Sequence, residues 1–228
     1  MLRAIIFDFD GVIVDSEPVI LELTQQMAAR EGWNLSAGEY YRDYLALDDR
    51  GIVEHLFHSH GKQLDPERRN EILEWKIAAY RQAIRNGLPT VPGAVKFVER
   101  CRSSGYHLAI ASGSLREEVE HLLKKAGLRE YFSALATAED SESSKPHPGV
   151  YLKAVGGLQR LSAFRKKRLE PEECLAIEDA PAGVDAAHAA GLKCLAVTYS
   201  QPPEQLSHAD WIFQSFAAID LEKIAGSY

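Results

Sequence analysis

Short apolar runs at regular intervals along the chain predict the strands of a β-sheet. The first run is Ala4 to Phe7, and later runs cover residues 108–111, 134–137, 174–177, 193–197 and, more weakly, 211–213. Between these runs, from residue 93 onward, apolar residues recur at the spacing of a helix. Strands that alternate with helices predict an α/β fold in which a parallel sheet carries helices on both faces.

Residues 16–88 carry a different pattern. Three helical stripes follow one another there, around Leu23, around Leu56 and around Ile72, and no convincing strand interrupts them. Pro and Gly cluster at both ends of this stretch, where a hinge is expected. We therefore predict an α/β core at 1–15 and 91–228 and an inserted helical domain at 16–90.

Composition and charge narrow the classes of partner. The 228 residues carry a net charge of −7, so an acidic surface argues against nucleic acid or a membrane surface as the main partner. Residues Gly156 to Pro171 look like a polar, basic excursion, and the basic run at 165–168 within it is short and is typical of a solvated loop. Asp8 interrupts the first apolar run too early for a secretory signal, and the odd number of cysteines, three, favours buried thiols in a reducing compartment. We expect a cytoplasmic monomer.

Polar residues follow the predicted strands at their carboxyl ends. Asp8 and Asp10 follow the first strand, Ser112 follows the second, and Glu178 and Asp179 follow the fourth. Lys145 lies a short loop beyond the third strand. Ligands of open parallel α/β sheets bind outside the carboxyl ends of the strands, so these side chains are expected to share one cleft.

The chemistry of that cleft favours phosphoryl transfer. Two carboxylates at 4 Å repel each other by about 4 kcal/mol at an effective dielectric constant of 20, so the acidic residues need a compensating charge. A divalent cation with oxygen ligands, together with the ammonium of Lys145, would supply it. The sequence has neither a Walker loop nor a dinucleotide-binding glycine fingerprint, and it lacks the H-E-x-x-H zinc motif.

Four motifs in order, D-F-D-G-V at 8–12, A-S-G-S at 111–114, K-P-H-P at 145–148 and I-E-D-A-P-A-G at 177–183, resemble those of the haloacid dehalogenase superfamily. The likeness covers essentially the whole chain. It is strongest to the small-molecule phosphatases and phosphomutases of the β-phosphoglucomutase and phosphoglycolate phosphatase type. The resemblance implies a Rossmann-like core and a helical cap that closes over the cleft.

The resemblance also implies roles for individual residues. Asp8 would attack phosphorus to form an aspartyl-phosphate, and Asp10 would act as general acid and base. Ser112 and the backbone of Gly113 would bind the phosphoryl oxygens, while Lys145 would neutralise charge. Ser112 could instead serve only at the start of the following helix, with Ser114 and Glu117 forming a capping box.

The metal ion implied by the resemblance is Mg²⁺. Its ligands would be the Asp8 carboxylate, the backbone carbonyl of Asp10, and Asp179. Glu178 would be a direct or water-mediated ligand, or only a partner of the ligands.

Two residues of the helical domain resemble substrate-binding residues of the family. Lys76 matches a cap-helix lysine, although its stem could also carry the charge out to water. Arg50 matches a cap arginine that meets a second phosphate, or it pairs on the surface with Asp48 or Asp49.

One departure separates hydrolase from mutase. The mutase pattern has a histidine where this chain has Ile20, which weakens that interpretation. We therefore expect a Mg²⁺-dependent phosphatase acting on a small phosphorylated metabolite such as a sugar phosphate or phosphoglycolate. A β-phosphoglucomutase-like mutase and a non-catalytic phosphate-binding regulator are the alternatives.

Overall fold

A computed structural model describes residues 1–45 and 47–228. The chain divides into two compact units, one made of Met1–Asp15 and Gly87–Tyr228 and the other of Ser16–Asn86. The sequence analysis predicts that the chain returns from the helical domain to the α/β core at residue 91. The sheet unit resumes earlier, at Gly87, which has a positive φ of 94° directly after a 3₁₀ turn at Ile84–Asn86.

A parallel sheet organises the larger unit. In the part of the chain that the structure describes, its six strands are β1 Ala4–Phe7, β2 His107–Ala111, β3 Phe132–Ala136, β4 Cys174–Glu178, β5 Lys193–Val197 and β6 Trp211–Phe213. Their order is β3-β2-β1-β4-β5-β6, and all neighbours are parallel. The predicted α/β fold with a Rossmann-like parallel sheet is confirmed.

Helices connect the strands and build the smaller unit. Their bounds in the described residues are α1 Glu17–Arg30, α2 Ala37–Asp43, α3 Asp49–Ser59, α4 Pro66–Ala83, α5 Ala94–Ser103, α6 Arg116–Lys125, α7 Gly149–Gln159, α8 Pro181–Ala189 and α9 Leu221–Ala225. None of the helices in the described ranges has the length and apolar character needed to cross a membrane.

The central strand β1 is fully buried, as expected for a strand covered on both faces. Phe7, its last residue, packs edge-on against Phe97 of α5 and Phe132 of β3, with ring centroids 6.0 and 5.8 Å apart. The buried strand explains why the apolar run at 4–7 shows no alternation of polar and apolar residues.

Helix α7 covers the sheet and is longer than the sequence indicated. We predicted a polar excursion from Gly156 to Pro171, but the helix continues to Gln159, and Leu158 is completely buried. Apolar contacts in the core therefore outweigh the two consecutive glycines, Gly156 and Gly157, which disfavour a helix.

The smaller unit is entirely helical in its described residues and has its own core. That core is formed by buried residues of all four helices and their connections: Met27, Ala28, Leu35, Tyr40, Tyr44, Ile52, Val53, Leu56, Phe57 and Ile72. The sequence analysis missed the short helix α2. Its start is fixed by a capping box in which Ser36 and Glu39 satisfy each other's backbone N–H groups.

Candidate active site

The register of the sheet brings the polar residues to one edge. Phe7 pairs with Ile110 of β2 and with Ile177 of β4, so the residues that follow all three strands emerge side by side. Asp8 continues the ladder, because its backbone N–H donates to the carbonyl of Ile177 at 2.9 Å. The shared edge that the sequence predicted for these residues is thus present in the sheet unit.

Lys145 links two of the carboxylates. Its Nζ donates to Asp8 Oδ1 at 2.7 Å and to Glu178 Oε1 at 2.6 Å. The Glu178 side chain is completely buried, and those of Lys145 and Asp8 are 15% and 12% exposed. Charges this deeply buried are strongly unfavourable unless they are paired. The ammonium therefore compensates part of the negative charge.

Burial and repulsion perturb the protonation of this cluster. Burial lowers the pKa of Lys145, but the charges of Asp8 and Glu178 outweigh it and hold that pKa above its usual value. Burial and then the charge of Asp8 raise the pKa of Glu178 to about 7. The same two causes raise the pKa of Asp179 well above its usual range. The cluster consequently favours either bound protons or a bound cation.

The carboxylates of Asp8, Glu178 and Asp179 fit a divalent cation. One oxygen of each lies within 4.8 Å of the others. All three donors are oxygens, the ligands that hard cations such as Mg²⁺ prefer. Their combined negative charge also exceeds the single positive charge of Lys145. This donor set is compatible with a divalent metal at the edge of the sheet.

Gly11 permits the close approach of Asp179 to the loop after β1. Its φ is 72°, a left-handed conformation that favours glycine. A Cβ at this position would overlap Asp179 Oδ2 and would lie 2.6 Å from Ser200 Oγ. Ser200 also hydrogen-bonds the Asp179 carboxylate, and this bond opposes the rise in its pKa. Asp179 is thus held by contact with the loop after β1 and by a hydrogen bond from Ser200, which follows β5.

Ser112 lies directly after β2 and is completely buried. Its Oγ accepts a hydrogen bond from the backbone N–H of Ser114 at 2.9 Å, so its own proton can be donated elsewhere. Gly113, between them, is exposed and has open space where a side chain would be. Both residues stand at the predicted edge of the sheet.

The predicted capping box of Ser114 with Glu117 is wrong. Helix α6 begins at Arg116, and its N-cap residue is Leu115. Ser114 instead donates its hydroxyl proton to Asp10 Oδ2 at 2.5 Å. The charge-assisted bond, which is stronger than a bond between neutral groups, orients the Ser114 side chain to Asp10, and the helix starts two residues later.

Three further residues support the cluster and were missed as site residues in the sequence. Tyr151 and Gly183 lie against Glu178, and Ser200 holds Asp179. Tyr151 carried a usable signal, because a tyrosine among the apolar positions of a buried helix needs a partner for its hydroxyl. Ser200 gave no such signal in the sequence, since it lies in an irregular loop.

Arg50 and Lys76 belong to the helical unit. Arg50 lies in the first turn of α3 and is exposed. Lys76 is only 2% exposed, so its stem does not carry the charge out to water. Its ammonium forms an ion pair with Asp49, whose side chain is 54% exposed. Asp48 caps α3 by accepting from the backbone N–H of Gly51 at 2.8 Å.

Comparison with known proteins places the chain in a family. The sequence profile described as haloacid dehalogenase-like hydrolase matches residues 5–197. Hexitol phosphatase B of Escherichia coli K12 is 32% identical over 196 residues, which are 86% of this chain and 83% of that protein.

Solved structures share the fold. A β-phosphoglucomutase from Clostridium difficile superposes with a TM-score of 0.84 at 24% identity, covering 100% of this chain and 97% of that one. CbbY from Rhodobacter sphaeroides, in complex with xylulose-(1,5)-bisphosphate, superposes with a TM-score of 0.80 at 24% identity and covers 96% of each chain. The sequence matches and the shared architecture agree, and the chain belongs to the haloacid dehalogenase-like hydrolases, as an enzyme of their phosphatase type.

Proposed function

We propose that the protein is a Mg²⁺-dependent phosphatase that removes the phosphoryl group from a small phosphorylated metabolite through an aspartyl-phosphate on Asp8. The observation that carries this proposal is the contact of Lys145 with Asp8 Oδ1 at 2.7 Å inside a buried acidic cluster. An ammonium held on a carboxylate reduces the charge repulsion that an incoming phosphate dianion would meet there.

In the first step, a carboxylate oxygen of Asp8 attacks phosphorus, and the bond from phosphorus to the ester oxygen breaks. Asp10 gives a proton to the departing oxygen, which leaves as an alcohol. The hydroxyl of Ser112 and the backbone N–H of Gly113 donate to the phosphoryl oxygens. Lys145 offsets the charge that builds up on them.

In the second step, Asp10 takes a proton from a water molecule, and the water oxygen attacks phosphorus. The bond from phosphorus to Asp8 breaks, which releases inorganic phosphate, restores the Asp8 carboxylate and leaves Asp10 protonated for the next cycle. Ser114 supports this role of Asp10, because its hydroxyl bond at 2.5 Å fixes the orientation of the Asp10 side chain.

Asp8, Asp179 and the backbone carbonyl of Asp10 would hold the Mg²⁺ ion, and Glu178 would be a direct or water-mediated ligand. Bound there, Mg²⁺ would neutralise charge on the phosphoryl group. The close fit of Asp179 beside Gly11 supports this assignment, because a loop that admits only glycine keeps the carboxylate at the sheet edge.

The names of the relatives support a sugar-like substrate. Hexitol phosphatase B carries a hexitol in its name, and the CbbY structure contains a pentulose bisphosphate. We propose a phosphorylated sugar or sugar alcohol, with phosphoglycolate as the smaller alternative. The helical unit, residues 16–90 by the sequence prediction, would act as a cap that selects the substrate through Arg50 and Lys76.

The test is a phosphorus NMR time course with purified protein and Mg²⁺. The mixture contains a hexitol phosphate, a hexose phosphate, a pentulose bisphosphate and phosphoglycolate. The control is Asp8→Asn, which keeps the shape of the side chain and removes the nucleophilic charge. We expect free phosphate from one ester class, and its rate should fall by about 10⁴-fold or more in the control.

Other outcomes decide against the proposal. Isomerised sugar phosphate with little free phosphate would identify a mutase despite Ile20. Binding of phosphate and Mg²⁺ without turnover of any ester would identify a regulatory member of the fold.

A further inference from the structure

Tyr151 lies beneath the acidic cluster and contacts two of its members. Its hydroxyl donates to Glu178 Oε1 at 2.6 Å, and the Lys145 ammonium lies 5.2 Å from the centre of its ring. Tyr151 belongs to α7, is completely buried and is part of the core that covers the sheet. One side chain thus contacts the lysine by its ring and the carboxylate by its hydroxyl.

These contacts form a continuous chain that ends on Asp8. Glu178 Oε1 accepts from both Tyr151 and Lys145 at 2.6 Å, and Lys145 donates in turn to Asp8 Oδ1. The other oxygen, Glu178 Oε2, accepts from the backbone N–H of Asp179 at 3.2 Å. Both oxygens of Glu178 therefore have protein donors.

The close packing of Glu178 against α8 also restricts its movement. A Cβ at position 183 would overlap the carboxylate, so Gly183 lets Glu178 pack directly on the first turn of α8. With Gly183 packed against it and Tyr151 bonded to it, the Glu178 carboxylate is held in one orientation. Rotation away from Lys145 would leave a buried hydroxyl without its acceptor, which is costly.

We propose that Tyr151 is a positioning residue of the phosphatase reaction, which holds Glu178 so that Lys145 stays in contact with the nucleophile Asp8. This inference rests on the proposed function. At the acidic cluster, Tyr151 contacts Glu178 and Lys145. It acts only through Glu178 and Lys145, as partners of metal and phosphate ligands commonly do.

The first test compares Tyr151→Phe with Tyr40→Phe. Tyr40 is a matched control, because it is also buried and its hydroxyl also donates to a glutamate, Glu17, in the helical unit. With p-nitrophenyl phosphate as probe, Tyr151→Phe should lower kcat by about 10- to 100-fold, with a much smaller change in KM. Tyr40→Phe should lower the Tm comparably and leave kcat at the wild-type value.

A double-mutant cycle identifies the route of the effect. In a Glu178→Gln background, Tyr151→Phe should cost little further activity, because the residue through which it acts has already changed. Unchanged kcat in Tyr151→Phe, or a full additional loss in the Glu178→Gln background, would overturn the proposal.

A second measurement is independent of turnover. Brief acetylation with acetic anhydride, read by mass spectrometry, compares Lys145 with exposed Lys153 of α7 as internal reference. The relative reactivity of Lys145 should rise severalfold in Tyr151→Phe and not in Tyr40→Phe, and equal reactivity would contradict the proposal. If the wild type fails to hydrolyse p-nitrophenyl phosphate and the NMR panel, the proposed function fails, and the acetylation ratio still decides whether Tyr151 holds Lys145.

Discussion

Both units of the molecule bury a lysine, but the two lysines have different surroundings. Lys76 of the helical unit pairs with one carboxylate, Asp49, which is itself 54% exposed. Lys145 of the sheet unit pairs with two carboxylates, Asp8 and Glu178, and Asp179 lies beside them. One pair balances its own charge and has access to water, whereas the other group has three acidic side chains and one lysine in the interior, so its remaining charge must be balanced by protons or a cation.

The difference separates a pair whose two charges balance from a cluster that needs a further cation. A buried pair with good geometry can be close to neutral in its effect on stability. A group with uncompensated buried charge is costly, and such groups are concentrated at functional sites. The excess negative charge in the sheet unit therefore points to the reaction centre more strongly than the number of ion pairs does.

The largest effects on activity are expected from replacing each of the two lysines in turn. Lys145→Met should lower kcat by about 10²- to 10³-fold, because the charge on the transferring group loses its compensation. Lys76→Met, the matched substitution, should act mainly on KM as expected for a substrate contact. Steady-state kinetics on the ester found by NMR would measure both, and equal losses of kcat would contradict the distinction.

Gly11→Ala should disturb the sheet-unit cluster without changing any charge. The added methyl group would overlap Asp179 Oδ2 and would require a left-handed φ of an alanine. We expect Mg²⁺ affinity to fall by about 10- to 100-fold in calorimetric titration, as for other changes around metal ligands. Gly61→Ala in the helical unit also has a positive φ but open space around it, so it controls for backbone strain. Equal Mg²⁺ affinity in the two variants would rule out the steric argument.

The excess charge should also make stability depend on pH and Mg²⁺. The pKa of Glu178 is raised to about 7, so in metal-free protein the folded state retains a proton that the unfolded state loses above 4.5. Stability should therefore decline as the pH rises from 4.5 through about 7. A fixed Mg²⁺ concentration, set at 100 times the Kd measured at about pH 8, should restore about 2.7 kcal/mol there. The same concentration should restore much less at about pH 5.5, where protons compete with the cation for the carboxylates. Thermal unfolding would measure this, and an equal effect of Mg²⁺ at both pH values would contradict it.

The smallest effect is expected at an ion-pair group far from the cluster. Glu173 contacts Arg3 at 2.7 Å and Lys167 at 2.5 Å, and its hydrogen bond with Lys167, helped by that with Arg3, lowers its pKa to about 2. Glu173→Gln should lower the free energy of unfolding by about 1 kcal/mol or less at neutral pH. Because the pKa of Glu173 is lowered in the folded state, the difference in unfolding free energy between the wild type and the variant should be fully present above pH 4.5. It should disappear as the pH falls towards about 2. Denaturant unfolding of both proteins at several pH values would measure this. A difference in unfolding free energy that persists at acidic pH would show that it does not come from the ionised Glu173 carboxylate.

The sheet and its edge were predictable because the signals are local. An apolar run that ends on Asp8 and Asp10 marks both a buried strand and its chemistry, and the same holds for β4 with Glu178 and Asp179. Parallel pairing then places these ends together with no further information. The motifs also identify Lys145, although it lies outside any strand.

The supporting contacts were not predictable, because they depend on distances between separate parts of the chain. Ser114 fitted a helix cap by spacing, and only the folded chain places its hydroxyl beside Asp10. The contact of Tyr151 with Glu178 joins residues 27 positions apart on different elements. Helix α2 was missed because seven residues give too few turns for a clear periodicity.

The most direct test of the central claim is to trap the phosphorylated carboxylate. During turnover with Mg²⁺, borohydride reduces an aspartyl-phosphate to homoserine, which peptide mass spectrometry locates in the sequence. The account predicts homoserine at position 8 only when both substrate and Mg²⁺ are present, and none at position 10. Rapid release of phosphate with Asp8 unmodified under trapping conditions, or modification at Asp10 instead, would contradict it.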